Sequence, residues 1–320
     1  MTPDTALIFW HWGASLLGIA ANAAATLPLM AALALILGRR GHAAFCLGGG
    51  ASLTGLGLAL SAAWPALVIG DALAQLSQVP GAPLARRLGA FFTPAGAGIS
   101  LSVAFWCAGI LCAWLGRRAC LRKAASLPPG TDSYSARAIR LPLVLLFAAA
   151  GCALAAFALR NWPFAGLPPG MDFSRAAGAV LKHACRAYFT AFTSGGAVGL
   201  IVAALVARRG WRGRPLSAAE ATGALRWCAV WAVAGALPQL LERWGVALGL
   251  LLRKGSALPG EAHAALFQLA ALCLLTLAAA AWGAVLAARA PLGRLALAPA
   301  GLLLLILSAS APWALRLLVP

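Results

Sequence analysis

Eight long apolar stretches follow one another along this 320-residue chain, with only short polar or Pro/Gly-rich linkers between them. A helix needs about 20 apolar residues to cross the hydrocarbon core of a bilayer. Hydrophobic residues make up 62% of the chain and charged residues 10%, and the mean hydropathy is +0.88. A soluble protein of this length does not need helices that are apolar on every side. We therefore predict an all-α integral membrane protein without a soluble catalytic domain.

Hydropathy and turn residues together give the bounds of the predicted spans. Because a single segment in lipid must satisfy its own backbone groups, these spans are expected to be helices and not strands. The first span is too long, and its amino end too poor in basic residues, for a cleaved signal peptide. The predicted spans are 6–38, 43–69, 95–116, 141–159, 187–207, 225–250, 263–288 and 295–317.

Basic residues predict how the chain is oriented. Fifteen of the 25 Lys and Arg residues fall on one side of the membrane when the linkers are assigned alternately to its two sides. The basic side faces the cytoplasm, which predicts a multi-pass protein of the bacterial inner membrane with both termini in the periplasm. The net charge of +18 lies in short clusters beside the spans. This distribution indicates anionic membrane lipids as partners and not nucleic acid.

A weak internal repeat suggests a parallel duplication. Residues 37–41 (LGRRG) end the first predicted span, and residues 207–210 (ARRG) end the fifth. Two four-helix bundles, 1–160 and 161–320, would then lie side by side in the same orientation. Chance is the alternative explanation, because paired arginines are expected wherever a helix ends on the cytoplasmic side.

The sixth predicted span contains the most informative polar residues. Gln239 and Glu242 are three positions apart and so share one face of a helix, and Pro238 can loosen the helix just before them. An ionisable residue next to lipid is costly and is a functional hypothesis by default. The carboxylate of Glu242 could exchange protons with a quinol or quinone; alternatively, it is an interfacial residue or is paired with an arginine.

Cysteines and histidines give little support for a bound redox centre. The eight cysteines include no C-x-x-C pair, so we expect no iron–sulfur cluster and no other metal site in this chain. His11, His183 and His263 fall near the outward ends of spans, whereas the two axial ligands of a b-type haem face each other within a bundle. We therefore predict no haem. These histidines would be interfacial polar residues or would bond a quinone carbonyl.

Two sequence phrases carry a resemblance to a known family. Residues 188–199 (YFTAFTSGGAVG) and 238–242 (PQLLE), together with the eight spans, resemble the membrane anchors of polysulfide and dimethyl sulfoxide reductases, the NrfD/DmsC-type family. The resemblance implies a quinone-interacting subunit that binds menaquinone or ubiquinone and holds no cofactor of its own. It further implies an iron–sulfur partner subunit and a molybdopterin or multihaem cytochrome catalytic subunit.

On this hypothesis Glu242 and Asp71 would carry the proton chemistry of a respiratory oxidoreductase. Two features depart from the family: Ser61 stands where a histidine is common, and residues 94–98 lack an acidic residue. Asp71, His11 or Glu242 would have taken over, or the chain only anchors its partners. A secondary transporter is a further alternative, although the middle parts of the spans are nearly free of charge. The residues expected to bind quinone are His11, Trp12, Trp64, Arg86, His183, Gln239 and Arg243.

Overall fold

The computed structural model describes residues 3–37, 43–77, 97–127, 134–160, 162, 172–209, 216–252 and 259–316. These residues form helices and turns, and no strand occurs among them. Seven of the helices are long and apolar enough to cross a membrane. These observations confirm the predictions of an all-α fold and of a multi-pass membrane protein. The physical reason for the helices is that they satisfy backbone polar groups internally where water is absent.

Among the described residues, each predicted span contains one helix, except the second, which contains two. The last of these helices is a shorter apolar helix over Leu297–Ala311 in the part whose side chains are described, so eight crossings and the outward termini remain predictions. The bounds are α1 Pro3–Leu37, α2 Ala43–Leu60, α3 Ala63–Ser77, α4 Ala97–Ser126, α5 Ala136–Arg160, α6 Phe173–Arg209, α7 Ala218–Leu252, α8 Pro259–Ala287, a short 3-10 helix Pro291–Arg294, and α9 Leu297–Arg316.

Two helices extend well beyond their predicted spans. The helix α4 continues to Ser126 through a basic segment that was predicted to be linker, and α6 begins at Phe173 and not near residue 187. Hydropathy marks only the apolar part of a helix, whereas its hydrogen-bond ladder continues into the interface. Basic residues in the last turn of a helix interact favourably with the negative end of the helix dipole. Lys123 lies in the last turn of α4, and Arg208 and Arg209 lie in the last turn of α6.

The second predicted span is interrupted by a turn at 61–62, between α2 and α3. Pro65 has no N–H with which to bond the carbonyl of Ser61 four residues earlier, so the ladder is broken there. The Ser61 carbonyl instead accepts a hydrogen bond from the indole Nε1 of Trp106 on α4, at 2.8 Å. The hydroxyl of Ser61 donates to the carbonyl of Leu58 at 2.7 Å. A side chain from another helix therefore satisfies the group that proline leaves open.

Contacts group the chain into two compact units, whose bounds fall inside α1 and α6. One unit is Ala20–Ala191; the other combines the chain up to Ile19 with the chain from Phe192 onward. The division at 160/161 that the sequence suggested remains a prediction, and the repeat on which it was based falls largely outside the described residues.

In the unit Ala20–Ala191, helices α4 and α5 pack closely and run antiparallel. A Cβ atom on Gly109 would lie 3.1 Å from the Cβ of Cys152, and one on Gly116 would lie 3.0 Å from Leu146. Small residues thus let the two helices approach, as is usual in membrane bundles. A core cluster beside this contact includes residues of α1, α2, α4 and α5, among them Leu35, Leu47, Cys120 and Leu146.

In the other unit, helices α6 and α7 approach so closely that backbone meets backbone. A Cβ atom on Gly196 would lie 2.6 Å from the Cα of Ala232 and 2.8 Å from the carbonyl oxygen of Cys228. A Cβ on Gly235 would lie 2.9 Å from the carbonyl carbon of Phe192. Because backbone atoms cannot rotate away as a side chain can, glycine is required at both positions of this contact.

Replacing Gly196 by alanine is therefore expected to destabilise the protein, by about 1 to 3 kcal/mol. Its matched control is Gly178→Ala in the same helix, where a Cβ meets nothing within 4 Å and where alanine is expected to be neutral or slightly stabilising. Thermal unfolding of both purified variants in the same mild detergent measures the difference. A Gly196→Ala protein that melts at or above the wild-type temperature would contradict the backbone contact.

Candidate functional site

The structure describes five of the nine residues predicted to form the quinone site. Gln239, Glu242 and Arg243 lie on α7, in the unit that contains residues 192–320, whereas Trp64 and His183 belong to the unit 20–191. The remaining predicted residues, whose side chains lie outside the described residues, are His11, Trp12, Asp71 and Arg86.

Gln239 forms the polar contact between α6 and α7. Its amide Nε2 donates to the hydroxyl Oγ1 of Thr193 at 2.9 Å and to the carbonyl of Gly235, one turn earlier in its own helix, at 3.3 Å. Thr193 is buried, with 1% of its surface exposed. The hydrogen bond lies beside the close approach at Gly235, so the position of Gln239 is fixed by tight packing as well as by polar contact.

Glu242 lies three residues after Gln239 on the exposed side of α7. Four of the large apolar side chains that are exposed on this helix follow one another at spacings of three and four residues, which places them on one face. We call this face the apolar strip of α7; it consists of Leu237, Leu241, Trp244 and Leu248. Arg243, directly after Glu242, is half-buried. An amide, a carboxylate and a guanidinium thus lie within five residues beside a surface that lipid can reach.

Trp64 is buried in a cluster of aromatic side chains, with 4% of its surface exposed. Its ring stacks on that of Trp106, with centroids 5.3 Å apart, and lies 4.6 Å from the ring of Phe157. The indole Nε1 of Trp64 donates to the hydroxyl of Ser102 at 3.2 Å, and that hydroxyl donates to the carbonyl of Ala156 at 2.8 Å. These contacts connect α3, α4 and α5. Trp64 is therefore a packing residue of the cluster, and its expected part in quinone binding stays a prediction.

The aromatic cluster continues to α6 and is covered by an arginine. The ring of Tyr188 meets that of Phe157 edge-on at 6.0 Å, and its hydroxyl donates to the carbonyl of Ala25 on α1 at 3.1 Å. The guanidinium carbon of Arg160 lies 5.5 Å from the ring centre of Trp64, a distance typical of a cation–π contact. A cavity beside Trp106 holds about 20 Å³, which is room for a single water and not for a quinone ring.

His183 lies exposed on α6, within the unit 20–191. Among the described residues, no three His, Cys, Asp or Glu side chains come together as a set of metal ligands. Cys107, Cys185 and Cys273 are exposed and Cys120 and Cys228 are buried, all as free thiols.

Sequence reasoning missed the partners of its predicted residues. Thr193 and Tyr188 were quoted only as part of the phrase 188–199, and neither Trp106 nor Ser102 was singled out. The hydroxyl of Ser102 does not stand out in the sequence. Serine and threonine occur throughout membrane spans, where their hydroxyls donate hydrogen bonds to helix carbonyls. For Trp106 a signal existed: an indole in mid-span favours a buried polar acceptor.

Comparisons of the chain with protein-family models, with curated protein sequences and with solved structures gave no match. The resemblance to the anchors of polysulfide and dimethyl sulfoxide reductases thus rests on the two sequence phrases and the predicted spans, and it stays an expectation.

The contact between Gln239 and Thr193 predicts a measurable coupling. Thr193→Val and Gln239→Leu, made singly and together, should show a coupling energy of about 0.6 to 1.7 kcal/mol in a double-mutant cycle of unfolding in detergent. The control is Thr276→Val on α8, since the Thr276 hydroxyl donates to the carbonyl of Leu272 within its own helix, at 2.8 Å. Additive effects of Thr193→Val and Gln239→Leu would contradict a stabilising hydrogen bond between the two side chains.

The interruption between α2 and α3 predicts a second coupling. Trp106→Phe keeps the ring stacking but leaves the Ser61 carbonyl without its indole donor, and should cost about 1 to 3 kcal/mol. In a Pro65→Ala background the new backbone N–H can bond that carbonyl, so the same substitution should cost less. Thermal unfolding of the four proteins gives the difference. Equal losses in both backgrounds would show that the indole does not compensate for the proline.

Proposed function

We propose that this protein is a quinone-interacting membrane subunit of a multisubunit respiratory oxidoreductase in the bacterial inner membrane. The observation that carries the proposal is the position of Glu242, exposed on a membrane-spanning helix next to the apolar strip of α7. A carboxylate there is costly in lipid, which is why such residues generally mark a pathway for protons, ions or substrate.

The apolar strip favours a substrate that arrives through the bilayer. Leu241 is 75% exposed and Leu237 and Leu248 are each 51% exposed, so an isoprenoid chain could lie along this face. A quinone head group brought to the strip would lie close to Glu242. Menaquinone and ubiquinone both combine such a chain with two carbonyl oxygens that need hydrogen bonds and protons.

The side chains of Glu242 and its neighbours can supply the proton transfer and the hydrogen bonds that a quinone needs. The carboxylate of Glu242 would receive a proton when a quinol is oxidised, and its protonated form would supply one when a quinone is reduced. Arg243 would hold a carbonyl oxygen through its guanidinium donors. Gln239 would act as a positioning residue, because its bonds to Thr193 and Gly235 fix the turn of α7 from which Glu242 projects.

Electrons would be exchanged with an iron–sulfur subunit, and through it with a molybdopterin or multihaem cytochrome subunit that carries the catalytic centre. In this arrangement the chain itself holds no haem and no iron–sulfur cluster. It supplies the lipid-accessible site for the quinone and the membrane anchor for its partners.

Glu242→Gln is expected to lower quinol-dependent turnover of the assembled complex by about 100-fold or more, because proton transfer by a positioned side chain contributes at least that much. The matched control is Glu220→Gln in the same helix. Glu220 forms a capping box with Ser217, in which its carboxylate accepts from the Ser217 N–H at 2.9 Å, and glutamine can replace it there. Normal turnover of Glu242→Gln, or equal losses in both variants, would exclude Glu242 from proton transfer.

The partner subunits are tested independently of the site. Tagged protein extracted from native membranes in mild detergent should bring iron–sulfur and molybdopterin or multihaem subunits with it in stoichiometric yield, as identified by mass spectrometry. Recovery of the chain alone, under conditions that preserve other respiratory complexes from the same membranes, would contradict the proposed function.

A further inference from the structure

The first five residues of α5 include two arginines, and its first turn has no acidic residue. Arg137 and Arg140 are exposed and three residues apart, so they share one face of the helix. The amino end of a helix has a partial positive charge, which repels cations and attracts anions. Two arginines at this position are therefore unfavourable by themselves and become favourable when an anion binds between them.

Below these arginines the same face of α5 becomes apolar. Arg137 and Arg140 line an open groove of about 500 Å³ together with Leu143, Val144 and Phe147. Val144 is 58% exposed and Phe147 is 42% exposed. At about 1.5 Å of rise per residue, the apolar part extends roughly 10 Å beyond Arg140 along the helix. The groove thus has a cationic end and an apolar body along which the first part of an acyl chain can lie.

The surroundings of the groove are also basic. Because α4 and α5 run antiparallel, with Gly116 against Leu146, the last turns of α4 lie near the first turn of α5. These last turns carry the exposed side chains of Arg118, Arg122 and Lys123. Among the ion pairs of described residues, none involves Arg137 or Arg140. A cluster of cations at the end of membrane-spanning helices attracts anionic lipids.

We propose that this groove is a specific binding site for an anionic phospholipid. Its phosphate lies between the guanidinium groups of Arg137 and Arg140, which match phosphate oxygens in pairs. One acyl chain lies along Leu143, Val144 and Phe147. The site is separate from the proposed quinone site on α7 and depends only on the membrane location of the chain.

The experiment counts lipids bound to the purified full-length protein in mild detergent by native mass spectrometry, with phosphatidylglycerol and phosphatidylcholine as probes. The wild type is expected to bind phosphatidylglycerol preferentially. The double variant Arg137→Gln/Arg140→Gln should bind it roughly 30-fold more weakly, from about a fivefold contribution of each arginine near an anionic surface. Phe147→Ser, which leaves both arginines in place, should also weaken binding because the acyl chain loses contact.

The matched control is Arg208→Gln/Arg209→Gln at the end of α6, which removes the same charge from two exposed arginines elsewhere. This control should bind phosphatidylglycerol as the wild type does, and millimolar inorganic phosphate should not displace the lipid. An equal loss of phosphatidylglycerol binding in the control would show that the effect comes from net charge and would overturn the proposal of a specific site. Three other results of the lipid count would overturn the proposal: unchanged binding to the Arg137→Gln/Arg140→Gln variant, equal affinity for phosphatidylcholine, or displacement by phosphate. A cross-linker attached at residue 144 gives a further test. Capture of a second protein there in place of lipid would also overturn the proposal.

Discussion

The need to satisfy every backbone polar group without water governs this structure. In lipid a helix does this within one segment, which explains why the described residues form helices and why glycines let those helices approach. The contact between α6 and α7 follows from the same constraint. Once the ladders are complete, little except close packing remains to hold helices together, and Gly196 and Gly235 bring two backbones within van der Waals distance.

The break between α2 and α3 shows how an exception is tolerated. Pro65 leaves the carbonyl of Ser61 open, and Trp106 from a different helix fills that place. The same tryptophan stacks on Trp64, whose indole bonds Ser102. The break between α2 and α3 is thus stabilised by an aromatic cluster that connects α3, α4 and α5, and the cluster leaves room for about one water beside it. This region therefore has a packing role, and the quinone-binding role expected of Trp64 stays a prediction.

Hydropathy predicted the helices well because lipid imposes a simple rule of length and composition. Their ends were less predictable: α4 and α6 extend through basic segments where apolarity stops but hydrogen bonding does not. The sequence also placed Gln239 and Glu242 on one face of a helix. It could not supply Thr193 as the partner of Gln239, since pairing between helices depends on which glycines set the crossing point. The side chains of His11, Trp12 and Asp71 lie outside the described residues, so their roles stay predictions.

The polar residues of the described spans fall into two kinds. The buried ones are all serine or threonine, and Thr26, Thr54 and Ser308 donate to carbonyls of their own or a neighbouring helix. Such hydroxyls need nothing further from their surroundings and serve packing. A carboxylate differs, because it accepts hydrogen bonds and helix carbonyls offer no donor. Glu242 lies on the exposed face of α7, and an ionisable group at a surface that lipid can reach distinguishes it from the buried hydroxyls of the spans.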